Sequence, residues 1–481
     1  MDLPRETPHN RRTAYVETYG CQMNISDGEL MEGILAAQGF AVVTSPEEAD
    51  VILVNTCAIR EHAETRVLGR VSQLNGLKRE NPELVIGVTG CMAQRMGETL
   101  LERAPYVDLV VGPDGYRALP EALASLDGPH GPAAATPSTA GAVPTVFTTR
   151  GGRARGRGRQ LAVLHLDLDE NYQGLEQRRA DGPGAWIPIQ RGCDHRCTFC
   201  IVPYVRGGEK NRRAADVIDE VRRLAETGVS EVTLLGQTVN SYVWEDVTFP
   251  RLLREVARVD GIRRVRFTSP HPNDVTPELV EVMASEPAVC EHLHLPAQSG
   301  NDRTLKRMLR RYTVDALLEK VDLVRDAISD VALSTDIIVA FPGETEPEFL
   351  DTLALMRAVR FDEAYTYKYS PREGTPATRL PAEDFIADDE AQARLEELID
   401  VSRAIQSEIN AVEVGRVEEV LIEGPGRDEG QVRGRTRRNK VVVFDGDPVR
   451  IGEYAHAELA RTTGATFVGR EVGRPLLAVG V

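Results

Sequence analysis

The chain has 481 residues, 42% of them hydrophobic and 27% charged, which is ordinary globular usage and enough length for about three domains of roughly 100–200 residues each. No apolar run approaches the roughly 20 residues of a membrane span. The polar start, with Arg5, Arg11 and Arg12 and no apolar core after them, is not a signal peptide, so a cytoplasmic location with reduced thiols is expected. A net charge of −17 excludes nucleic-acid binding through overall positive potential and leaves that role to local basic segments.

From residue 13 to 126, β-rich runs alternate with helix-like stretches such as 29–38 and 94–103, the pattern of a small open parallel sheet. Three of the runs end alike: Tyr15-Val-Glu-Thr-Tyr-Gly-Cys21, Val51-Ile-Leu-Val-Asn-Thr-Cys57 and Val85-Ile-Gly-Val-Thr-Gly-Cys91. In a parallel α/β sheet, residues just past the carboxyl ends of the strands converge on one crevice. Cysteines remote in sequence can therefore meet there as a three-thiolate site. Each also reads as a buried structural thiol, free Cys being among the most buried residue types. From 127 to 184 the composition shifts to Gly, Pro, Ala, Thr and Arg, a low-complexity linker with one strand expected at 161–166. Arg150, Arg153, Arg155, Arg157 and Arg159 belong to it and read as a solvated run.

Between 185 and 410, six strand candidates (186–190, 231–236, 265–269, 292–295, 334–341 and 364–369) alternate with helices, which predicts a partial (β/α)6 barrel. After the first strand comes Arg191-Gly-Cys-Asp-His-Arg-Cys-Thr-Phe-Cys-Ile-Val-Pro, the strongest signal in the chain. Three thiolates on one short loop, Cys193, Cys197 and Cys200, can hold three irons of a cubane cluster and leave the fourth open to a small molecule. A structural zinc with His195 as fourth ligand is the competing reading. One residue between His195 and Cys197 suits it poorly, and a second ligand knuckle is missing. Seven cysteines are an odd count for a disulfide framework. Cys290, before the fourth strand, reads as a core thiol.

Residues 411–481 change to five short strands with Gly turns, at 416–423, 430–435, 440–444, 447–451 and 453–460, a small β-barrel of the oligonucleotide-binding kind. Arg433, Arg435, Arg437, Arg438 and Lys440 crowd it and read as an RNA-facing patch.

Several motifs together resemble the radical S-adenosylmethionine methylthiotransferases over nearly the whole chain. They are Thr18-Tyr-Gly-Cys-Gln-Met-Asn, Arg191-Gly-Cys through Cys200-Ile-Val-Pro-Tyr-Val-Arg-Gly-Gly-Glu, Leu235-Gly-Gln-Thr-Val-Asn-Ser-Tyr, His294-Leu-Pro-Ala-Gln-Ser-Gly, Asp336-Ile-Ile-Val-Ala-Phe-Pro-Gly-Glu-Thr-Glu and Tyr369-Ser-Pro-Arg-Glu-Gly-Thr-Pro-Ala. The chain departs from the family pattern at Ala340, where Gly is usual, at Asn211, where Ser is common, and in its long linker. The resemblance implies an N-terminal methylthiotransferase domain (13–126), a radical-SAM core (185–410) and a C-terminal TRAM domain (411–481). It also implies two 4Fe-4S clusters. Cys193, Cys197 and Cys200 would hold the one whose open iron binds S-adenosylmethionine, and Cys21, Cys57 and Cys91 the one that carries sulfur.

Arg206 and Glu209 would reach the methionine end of the cofactor, with Gln237, Asn240 and Gln298 after strands two and four. Capping and turn chemistry accounts for such side chains equally well. The implied reaction converts N(6)-dimethylallyladenosine to its 2-methylthio derivative at position 37, beside the anticodon of tRNAs that read codons beginning with U. The implied partners are the tRNA anticodon loop and an electron donor such as flavodoxin or ferredoxin, with the enzyme a monomer. Three alternatives stand beside it: the threonylcarbamoyl-adenosine relative, a non-catalytic cluster protein that binds RNA or senses, and the relative that modifies a ribosomal-protein aspartate. In the last, Pro-Lys usually follows the first cysteine, where this chain has Gln22-Met23.

Overall fold

The computed structural model describes residues 11–58, 61–127, 147–149, 160–167, 169–179 and 182–473. The chain forms two compact units, one of residues 1–180 with 191–195 and 201–210, the other of 181–190, 196–200 and 211–481.

In the first unit β1 (Thr13–Thr18), β2 (Ala41–Val42), β3 (Val51–Thr56), β4 (Val85–Gly90), β5 (Leu109–Val111), β6 (Phe147–Thr149) and β7 (Leu161–Val163) form one sheet in the order β2-β1-β3-β4-β5-β7-β6. All pairs are parallel except the β6–β7 hairpin. Every residue of β3 and β4 is buried, as expected of central parallel strands covered on both faces, and alternate residues feed two apolar clusters, Ile52, Val54, Ile86 and Val88 in one and Val51, Leu53 and Val85 in the other. The helix after β1, α1 (Gln22–Ala37), starts seven residues earlier than the sequence suggested. The stretch expected as one helix at 94–103 is two, α2 (Cys91–Met96) and α3 (Thr99–Arg103), broken where Gly97 takes φ +56°.

Part of the expected linker is structured. β7 is wholly buried between β5 and β6, the buried Tyr172 donates its hydroxyl to the Pro113 carbonyl at 2.8 Å, and Glu170 pairs with Arg117 at 2.8 Å. A composition average over 127–184 hides these short apolar and aromatic anchors. The arginines at 150–159 lie outside the described residues.

In the second unit the six expected strands all form: β8 (Gly184–Pro188), β9 (Glu231–Leu235), β10 (Arg264–Phe267), β11 (His292–His294), β12 (Ala332–Val339) and β13 (Glu363–Lys368). They make two three-stranded parallel sheets, β8-β9-β10 and β11-β12-β13, joined by a bridge between Val265 and Val289. The strands and the helices between them share one apolar core. The 26-residue helix α4 (Asp388–Glu413) follows. Next, β14 (Val417–Pro425), β15 (Gln431–Thr436), β16 (Val441–Asp445), β17 (Tyr454–Thr462) and β18 (Thr466–Val472) close a small barrel in the order β14-β15-β16-β18-β17. It is antiparallel apart from the parallel β16–β18 pair.

Residues 447–451, expected as a strand, are a turn. Pro448 has no N–H for a ladder, and the Asp447 carboxylate accepts from the Val449 amide at 2.9 Å. The fifth strand is β18, whose Phe467 fills the barrel core.

The basic patch on this barrel is not a free face. Arg264 donates to the Arg435 carbonyl at 2.8 Å, and Arg266 to those of Thr436 and Arg437 at 2.7 and 2.9 Å. Arg437 pairs with Glu291 at 2.8 Å, Arg438 with Glu413 at 2.8 Å and Lys440 with Asp362 at 2.6 Å. Arg438 and Lys440 are buried, and of the five cations expected to face RNA only Arg433 is exposed. Arg437, Arg438 and Lys440 bind the small barrel to the strands and to α4, because a charge taken out of water must be paired, while Arg435 pairs with Glu423 of the barrel itself.

Candidate iron-sulfur sites

In the first unit, strand register does what the repeated strand-turn-Cys pattern suggested. Thr18 pairs with Asn55 and Thr56 with Gly90, so the three strands end level and Cys21, Cys57 and Cys91 follow within a few residues. Two glycines permit the approach: a Cβ at Gly20 (φ +135°) would stand 2.6 Å from the Cys57 Cβ, and one at Gly90 (φ +91°) would stand 2.5 Å from the Thr56 carbonyl oxygen. A hydrogen bond from the Cys57 thiol pulls the Cys21 thiol down to about 6, with burial opposing and the Arg206 charge assisting. Burial pushes the Cys91 thiol up, again with Arg206 opposing.

Arg206, which is 2% exposed, is the centre of this site. Its Nε lies 3.1 Å from the Cys91 Sγ, and its Nη2 donates to Asp27 at 2.6 Å and to the Asn24 Oδ1 at 3.4 Å. Its Nη1 is buried with no partner among the described residues. Three thiols beside one buried cation suit a thiolate-bound cluster, since deprotonated sulfur needs compensating charge out of water.

Cys193 belongs to the first unit, Cys197 and Cys200 to the second. Cys193 and Cys197 are buried and Cys200 half-buried. The Cys193 amide donates to the Gly207 carbonyl at 3.2 Å. In the second unit, Thr198 is bonded to the Met308 and Arg307 carbonyls through its amide (3.0 Å) and hydroxyl (2.9 Å), and the Phe199 ring meets Phe341 edge-on at 6.5 Å. Arg310 donates to the Cys197 Sγ at 3.5 Å and to the Pro296 carbonyl, just past β11, at 3.2 Å. Each set thus has its own arginine on a sulfur. Beside it, the face of β11 to β13 carries His294, whose Nε2 lies 3.3 Å from the Asp336 carboxylate and whose ring is 5.9 Å from that of Tyr365.

Three family descriptions match in succession: uncharacterized protein family UPF0004 at residues 13–112, the radical SAM superfamily at 187–356 and the TRAM domain at 411–467. The tRNA-2-methylthio-N(6)-dimethylallyladenosine synthase of Thermoanaerobacter sp. (strain X514) is 44% identical, covering 95% of this chain and 92% of its own. The synthase of Chloroherpeton thalassium is 40% identical over 96% of both. The chain belongs to this synthase family. Among solved structures, the radical S-adenosylmethionine methyltransferase TsrM from Kitasatospora setae shares the fold, with a TM-score of 0.56 at 16% identity over 76% of this chain and 77% of its own. Membership in the radical SAM superfamily brings with it a 4Fe-4S cluster and S-adenosylmethionine.

The other side chains expected at the cofactor divide. Arg206, expected at the methionine end of the cofactor, bonds Asp27 and Cys91 through its guanidinium. Asn240 is a cap, its Nδ2 donating to the His271 carbonyl at 2.9 Å and its Oδ1 accepting from the His271 amide at 2.6 Å. Glu209 is half-buried, with its amide on the Asp194 carboxylate at 3.0 Å. Gln298 is buried at φ +68°, bonded through its backbone to Asp336 and Ile338. Gln237 keeps a buried Oε1 with no partner among the described residues, which leaves it capacity for a ligand. Cys290 is buried at 2% exposure, as a core thiol should be. Sequence reasoning missed Asp27, Asn24 and Arg310 as companions of the thiols, because nothing local to them points to a cysteine.

Proposed function

We propose that this chain methylthiolates N(6)-dimethylallyladenosine at position 37 of tRNAs that read codons beginning with U, with Cys193, Cys197 and Cys200 holding one 4Fe-4S cluster and Cys21, Cys57 and Cys91 a second. The observation that supports the two-cluster reading is that three cysteines end neighbouring strands, with Arg206 on the Cys91 sulfur, while Arg310 bonds Cys197 of the second set. When bound, the clusters with S-adenosylmethionine supply a 5′-deoxyadenosyl radical and a sulfur to transfer. Radical chemistry suits the target, whose carbon between two ring nitrogens carries a strong C–H bond that acid–base groups cannot open.

The chain's own residues provide the setting. Arg206 and Arg310 offset thiolate charge in a poorly solvated place, and Arg310 also fixes the cysteine loop to the end of β11 through Pro296. Buried Met308, Phe341 and Tyr312 keep water from the loop's inner side, which protects a reactive radical. An anticodon loop can present a splayed base without melting a long duplex. The names carried by relatives of 40–44% identity support the substrate.

The test is anaerobic incubation of the iron-loaded protein with isopentenylated tRNA, reductant and S-adenosylmethionine. The expected products are the 2-methylthio nucleoside and 5′-deoxyadenosine. A methylthiolated threonylcarbamoyl-adenosine or ribosomal-protein aspartate in place of that nucleoside would refute the assignment.

A further inference from the structure

We propose that the tRNA backbone is held at the rim of the partial barrel by Arg196, Lys306 and Arg311, a phosphate-binding surface on the core. The proposal rests on the tRNA substrate of the proposed function and adds where its phosphates lie.

The segment from Asp302 to Arg311 carries Arg303, Lys306, Arg307, Arg310 and Arg311 against a single acid, Asp302, in a chain of net charge −17. Three of these cations are engaged: Arg303 with Glu348 at 2.7 Å, Arg307 with Asp384 at 2.6 Å and Arg310 with Cys197 and the Pro296 carbonyl. Lys306 and Arg311 are exposed and have no ion pair or side-chain hydrogen bond among the described residues. The same holds for Arg196, the residue before Cys197. Unpaired cations are the ones that can exchange counterions for phosphates. On the C-terminal barrel Arg437, Arg438 and Lys440 are already neutralised by carboxylates.

Three bonds place these charges at the mouth. Thr198 of the cysteine loop bonds the Met308 carbonyl, Arg310 bonds the carbonyl of Pro296 after β11, and the Asn273 side chain, in the loop after β10, donates to the Arg311 carbonyl at 3.2 Å. All three partners follow the carboxyl ends of strands, where a barrel of this kind receives its substrate. Between Lys306 and Arg311 the chain turns sharply at Leu309 (φ +60°), which is 42% exposed. A loop that delivers a base into the mouth must leave its backbone phosphates on the surrounding rim, where Arg196, Lys306 and Arg311 offer unpaired charge.

The experiment is a salt titration of tRNA binding by the full-length, iron-loaded protein, comparing the parent with Lys306→Ala/Arg311→Ala and, for a larger effect, Lys306→Glu/Arg311→Glu. Iron content and thermal midpoint control for folding, which exposed side chains should not disturb. We expect the slope of log affinity against log salt to shrink by roughly one unit per lost cation and affinity to fall about tenfold or more. Arg433→Ala on the C-terminal barrel should move the slope less than the rim pair does. The inference is overturned if the rim variants match a tRNA-binding parent, if the slope moves with Arg433 instead, or if the rim variants lose only reduction by an acidic protein donor such as flavodoxin. A parent that binds no tRNA at all overturns the functional reading and this inference together.

Discussion

Ala340 occupies the left-handed region at φ +57° directly after β12, where its amide donates to the Glu344 carboxylate at 2.7 Å. A side chain there costs roughly 1 kcal/mol that glycine avoids. Ala340→Gly should therefore stabilise the protein by about 0.5–1 kcal/mol, the larger entropy of an unfolded glycine taking back part of the gain. Urea unfolding of the two proteins decides it, and an Ala340→Gly protein that unfolds more easily than the parent refutes the strain. Glu344 itself is 4% exposed, and burial raises its carboxyl to about 7 against the pull of the Ala340 amide and Arg394. The folded state then holds a proton that the unfolded chain has released. Stability should fall as pH climbs from about 4.5 to about 7, by up to about 3 kcal/mol. Glu344→Gln should flatten that part of the pH profile; identical profiles for the two proteins would show that the carboxyl is already ionised when folded. The sequence made Ala340 conspicuous only against the family pattern, and gave no sign that Arg206 would bond Asp27, 179 residues earlier. Long-range pairing leaves no local trace, whereas strand-turn-Cys repeats and a short cysteine loop do, which is why the six candidate cysteines stand out in the sequence and the partners of Arg206 and Arg310 do not.

At the scale of elements, the strands were legible in both apolar and charge-rich runs, but the partners of the charge-rich ones were not. β9 to β13 announce themselves by periodicity, and the register of β1, β3 and β4 follows from where their apolar runs stop. The β15–β16 hairpin reads as an RNA-facing basic patch because its partners, Glu291, Asp362 and Glu413, come from three distant segments. Its arginines should therefore act in stability. Arg438→Ala removes the partner of Glu413, whose side chain is 5% exposed, and an unpaired buried carboxylate costs about 3 kcal/mol. We expect a loss of that order in denaturant unfolding, with the salt dependence of tRNA binding unchanged. A stable Arg438→Ala protein with a shallower salt slope would return this hairpin to the RNA face.

Across the whole molecule, the segmentation apparent in sequence and the physical units do not coincide. The segment 201–210 belongs to the first unit with the sheet of β1 to β7, although it follows directly on the radical SAM motif of the core. Arg206 stands close behind Cys200 in the chain but acts on Cys91 and Asp27. That separation predicts a specific pattern of iron loss. Replacing Cys193, Cys197 and Cys200 together with Ala should remove roughly half the iron of the loaded protein, and replacing Cys21, Cys57 and Cys91 the other half, on the proposal that each set holds one cubane. Arg206→Ala should resemble the second triple variant: its loss leaves Asp27, at 2% exposure, without its cation and the thiols beside Cys91 without compensating charge. Arg206→Lys, which keeps a charge but not the planar fork that reaches Cys91 and Asp27 together, should fall between the two. The measurement is iron per chain alongside cleavage of S-adenosylmethionine to 5′-deoxyadenosine. If Arg206→Ala abolishes cleavage while keeping the iron of the N-terminal set, Arg206 serves the cofactor of the core after all. If it lowers iron by about half and cleavage persists, the arginine belongs to the cluster at the strand ends, as its hydrogen bonds indicate.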